Sequence, residues 1–110
     1  MLKPPVGDLR FEGPQSFNTT WQGARFAVQY SDVCMKYANP GYPMSEDCLS
    51  LNIIRPTSAN ASGRIPVAVW IHGGSSRHTN LAIFVSQGTG SGNPFIAVSI
   101  NNRLNSLGLF

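Results

Sequence analysis

A chain of 110 residues has room for one small domain and not for two. Its net charge of +3 comes from scattered Lys and Arg, with no run and no basic face interleaved with aromatics, which argues against a nucleic-acid partner. No stretch approaches the roughly 18 apolar residues of a membrane span, and Met1, Leu2 and Lys3 run straight into Pro4 and Pro5, so the apolar region of a secretory leader is not expected here.

Residues 1 to 16 carry Pro4, Pro5, Gly7, Gly13 and Pro14 and read as an extended, turn-rich segment in which Leu9 and Phe11 flank Arg10. From Trp21 to Tyr30 the chain reads as a loop leading to a short extended piece, with Trp21, Phe26, Val28 and Tyr30 as packing residues. The two cysteines, Cys34 and Cys48, enclose a stretch stiffened by Pro40, Gly41 and Pro43; spacing alone fits a disulfide or two unrelated buried thiols. Asn18-Thr19-Thr20 and Asn60-Ala61-Ser62 are N-glycosylation acceptor patterns in polar, turn-like surroundings.

Three apolar runs predict strands: Leu49 to Ile54, Val67 to Ile71 and Phe95 to Ile100. Residues 57 to 65 are small and polar and predict a hairpin-like link between the first two. Pro66 opens the second run, and the unbroken VAVWI that follows predicts a central strand buried on both faces. Only Leu81, Phe84 and Val85 stand at helical spacing, predicting about two turns of helix before a flexible GTGSGN turn. With 11 Gly and 8 Pro and so little helix to cover the strands, the composition fits an irregular part of a larger domain better than a self-sufficient fold.

The strand VAVWI stops at His72, Gly73 and Gly74. Two glycines after a buried strand let the backbone turn sharply, with N–H groups free to face an anion and no Cβ in the way. His72, at the strand's end, reads as a hydrogen-bonded structural residue. Neither a cofactor nor a metal is expected from the residues present.

The segments PPVGDLRFEGPQ, WQGARFAVQYSDVC, SEDCLSLNIIRP, PVAVWIHGGS and VSINNRLNSLGLF resemble, in order and spacing, the type-B carboxylesterase family of α/β-hydrolases, which includes fungal lipases and esterases, cholinesterases and non-catalytic neuroligins. The resemblance implies a partial carboxylesterase domain over residues 1–110: the N-terminal part of an α/β-hydrolase fold with a mixed, mostly parallel sheet, poor in helix, needing the remainder of the domain for completion. It implies backbone N–H groups of Gly74 and Ser75 as oxyanion-hole donors, with Gly73 freeing the turn. It also implies a Cys34–Cys48 disulfide, a buried structural ion pair between Arg10 and Glu46, and a structural ion pair of Arg103 with an acid beyond residue 110. The bridged loop is too short to carry the long lid of the family's lipases.

Ser75 and Ser76 stand where the family has Gly and an aromatic, and Asn102 where it has Tyr. No G-x-S-x-G elbow is present, and the family's catalytic Ser, acid and His fall outside the matched segments, so the isolated chain is expected to be inactive. The partner implied for the full-length parent is a small carboxylic ester, and two acceptor sequons beside a cystine pair imply that this parent is secreted. A neuroligin-like adhesion relative and an independent β-rich binding module are the alternatives.

Overall fold

The computed structural model describes residues 2–37, 39, 41–60, 62–73 and 80–104. The chain divides into two compact units, one of Met1–Leu49 with Arg103–Phe110 and one of Ser50–Asn102.

The first unit is mostly irregular, as its prolines and glycines dictate. Leu2 bridges Ser16, with the Lys3 N–H donating to Gln15 O at 2.9 Å, so the arm doubles back on itself. One turn of tight helix, Gly7–Leu9, lies between them, and Gly7 takes a left-handed φ of 58° that a side chain would oppose. Strand β1 (Val33–Cys34) pairs in parallel with β2 (Met44–Ser45), and the Cys34–Cys48 disulfide closes the same loop across a Cα–Cα distance of 5.1 Å. Val33, Cys34 and Cys48 are the buried apolar residues of this unit among those described. A loop of this size lowers the entropy of the unfolded chain by an amount worth roughly 3 kcal/mol.

Two sequence expectations for this unit require correction. The packing role of the aromatic segment fails: Phe26 is 99% and Val28 85% exposed, and Trp21 and Tyr30 are also exposed. Trp21 finds a partner only at the surface, where the Arg25 guanidinium stands 4.9 Å from its ring centroid. Arg10 and Glu46 do meet, Nε and Nη2 of the guanidinium donating to the two carboxylate oxygens, but they meet in solvent. The energetics of a buried pair therefore do not apply, and salt screens the attraction.

The second unit is a three-stranded sheet with one helix. Strands β3 (Leu51–Ile54), β4 (Val67–Ile71) and β5 (Ile96–Ile100) stand in the order β3-β5-β4. Strand β5 is antiparallel to β3, with Ile53 opposite Val98, and parallel to β4, with Val69 opposite Val98. The predicted hairpin between β3 and β4 is therefore replaced: β5 inserts between them, and residues 55–59 form a turn closed by Ala59 N–H to Pro56 O (3.1 Å) and Arg55 Nη1 to Ala59 O (2.7 Å). The strand expected to be central, β4, is an edge among the described residues.

A parallel pair cannot be joined by a tight turn, so β4 reaches β5 through helix α1 (Ala82–Gly90). The helix runs through Gly88, Thr89 and Gly90, where the sequence predicted a flexible turn. Thr89 Oγ1 donates back to Val85 O at 2.8 Å, and Gly88 lets the helix approach Phe95, since a Cβ there would stand 2.7 Å from the Phe95 ring and 2.9 Å from Asn93 O. Leu81, Val85 and Ala97 form the buried core between helix and sheet, with Ile54 and Phe95 packed against it.

Alternation along the strands puts Leu51, Ile53, Val67, Val69, Ile71, Ile96, Val98 and Ile100 on the other face. Five of these eight are more than half exposed. Strand β4 is exposed at every residue, against the expectation of burial on both faces. The run has the composition of a doubly covered strand and lacks the covering layers.

Two predictions follow from these contacts. Gly88→Ala is expected to destabilise the second unit by about 1 to 3 kcal/mol through overpacking, whereas Gly90→Ala, with open space at its Cβ position, is expected to stabilise it by about 0.5 to 1 kcal/mol; urea unfolding followed by near-ultraviolet circular dichroism reads the opposite signs. The hydrogen bonds from Arg10 hold the Glu46 carboxyl below its ordinary value, with Arg103 adding attraction and partial burial opposing both. A depressed carboxyl contributes stability above its unfolded pKa and loses it as pH falls through the folded value. Acid unfolding should therefore carry a salt-sensitive contribution from Glu46, at and below the ordinary carboxylate range, that Glu46→Gln abolishes.

Candidate functional site

The candidate site lies where β4 ends. Parallel strands place their carboxyl ends on one edge of the sheet, the edge at which open α/β sheets bind ligands. Ile71 lies opposite Ile100, so His72 and Gly73 leave β4 at the level at which Asn101 and Asn102 leave β5. Asn101 is held in place by its N–H donating to Ser50 O at 2.8 Å, which extends the pairing of β5 with the β3 side one residue past the strand.

The His72 side chain is anchored locally. Its Nδ1–H donates to the Gly73 carbonyl at 3.1 Å, since a carbonyl oxygen can only accept. Nε2 is buried with no hydrogen-bond partner among the described residues, and so is Oδ1 of Asn102. The structural role expected of His72 is visible in the Nδ1 bond.

Gly73 is exposed, and no described residue stands within 4 Å of the position that a Cβ would take. Its backbone is not left-handed, so the freedom expected of it is not exercised as a positive φ. Among the described residues neither packing nor conformation demands a glycine here. Gly74 and Ser75, the expected donors, lie outside the described residues, as do Ser76 and His78.

A second feature of unit 2 is an apolar groove of about 340 Å³ between α1 and the sheet, walled by Ala68, Trp70, Leu81, Phe84 and Phe95. It holds no titratable group. Among the described residues no group of three or more His, Cys, Asp or Glu could hold a metal ion, and no helix is long and apolar enough to cross a membrane.

In the first unit, the structure brings Arg10 to Glu46 and Cys34 to Cys48 and adds a residue whose role the sequence did not disclose. Arg103 Nη2 donates to Pro5 O at 2.8 Å and to Glu46 O at 2.9 Å, tying the N-terminal arm to the segment after β2. The family resemblance assigned it an acid beyond residue 110, which lies outside this chain. Within the chain, two backbone carbonyls take part of its donor capacity. Its Nε is buried without a partner among the described residues.

Comparison with known proteins agrees with this architecture. The cocaine esterase of Oryctolagus cuniculus is 33% identical over 121 residues, covering 98% of this chain and 23% of that protein. Lipase 1 of Geotrichum candidum is 31% identical, covering 96% of this chain and 25% of its own length. Among solved structures, EstA of Aspergillus niger superposes with a TM-score of 0.75 at 30% identity, over 97% of this chain and 21% of that one; the PNB esterase gives 0.71 at 34% identity, over 97% and 22%. The chain thus spans about a quarter or less of the length of these relatives. Its mixed sheet and single crossover helix form part of an α/β-hydrolase fold. With the Carboxylesterase family model matching residues 2–110, the chain belongs to the carboxylesterase family.

Proposed function

We propose that this chain supplies the oxyanion-hole loop of a serine carboxylic ester hydrolase, and that the nucleophile, acid and general base come from polypeptide outside these 110 residues. The observation that carries the reading is Gly73: a glycine at the carboxyl end of a parallel strand, with open space where its side chain would stand. Its place at the carboxyl end of a parallel strand, where ligands approach open α/β sheets, is what gives that open space a use. The N–H groups of Gly74 and Ser75 then face the carbonyl oxygen of a bound ester as it becomes an anion, and stabilise the charge that develops in the transition state. Gly73 keeps that approach clear, and His72 fixes the start of the loop through its bond to the Gly73 carbonyl.

The uncovered faces of β4 support the companion reading, that the sheet is completed by further polypeptide of the same hydrolase domain. The Cys34–Cys48 disulfide supports a secreted parent, since such bridges persist in oxidising compartments.

The isolated chain is expected to hydrolyse p-nitrophenyl acetate no faster than a Gly73→Val control. Replacing the matching segment of the PNB esterase by residues 1–110 should give an active chimera. In that chimera Gly74→Pro, which removes one N–H donor, should lower kcat about 10²- to 10³-fold with KM little changed. A chimera that folds and is indifferent to Gly74→Pro would remove the oxyanion role while leaving family membership intact.

A further inference from the structure

We draw no further inference here: the strongest candidate, the apolar groove between α1 and the sheet with the exposed faces of β4 beside it, belongs to the surface that further polypeptide of the same hydrolase domain is already proposed to cover, and nothing in the structure points to another occupant.

Discussion

The parallel pairing of β4 with β5 is the constraint on which the second unit depends. Antiparallel neighbours can share a two-residue turn, but parallel ones need a connection that returns to the starting edge. That requirement creates α1, and α1 with its N-cap supplies Val85 and Leu81, the residues that bury Ala97 and close the only apolar core described in this unit. The same pairing brings His72, Gly73, Asn101 and Asn102 to one edge. Fold and candidate site thus share one cause.

The first unit is held differently. With few of its apolar residues buried, it relies on cross-links of unequal strength: a covalent bridge at Cys34–Cys48, the two carbonyls gripped by Arg103, and a solvent-exposed pair between Arg10 and Glu46. The first restricts the unfolded chain and is indifferent to salt, whereas the last is screened by it. Arg103 lies between these extremes, since a charged donor to a partly buried carbonyl is stronger than a neutral one and costs more to leave unmade.

Local features were legible in the sequence, and relational ones were not. VAVWI announced a strand because apolar, β-branched residues followed by two glycines leave few other choices, and β4 occupies Val67–Ile71. Its exposure here goes with the shortage of covering helix, because a run of apolar side chains states what the strand could cover and not what covers it. Strand order escaped for a similar reason: periodicity assigns faces, and nothing in residues 57 to 65 says that a third strand will insert between β3 and β4. Helix α1 ran past its predicted end because Gly88 and Gly90 read as breakers by propensity, while packing against Phe95 makes the first of them necessary. Of the candidate site, His72 and Gly73 were readable from the HGG motif. The bond that fixes His72 was not, since it depends on the conformation of the next residue.

Gly88 and Gly73 show how a glycine should be weighed. At Gly88 two neighbours stand where a side chain would go, so the fold accounts for the residue completely. At Gly73 there is neither a neighbour among the described residues nor a left-handed backbone. A glycine also carries a cost, since it gives the unfolded chain more freedom than alanine would. Gly90 shares that open space and sits in a helix, away from the strand ends, so position decides between the two: the carboxyl end of a parallel strand is where an open backbone is used.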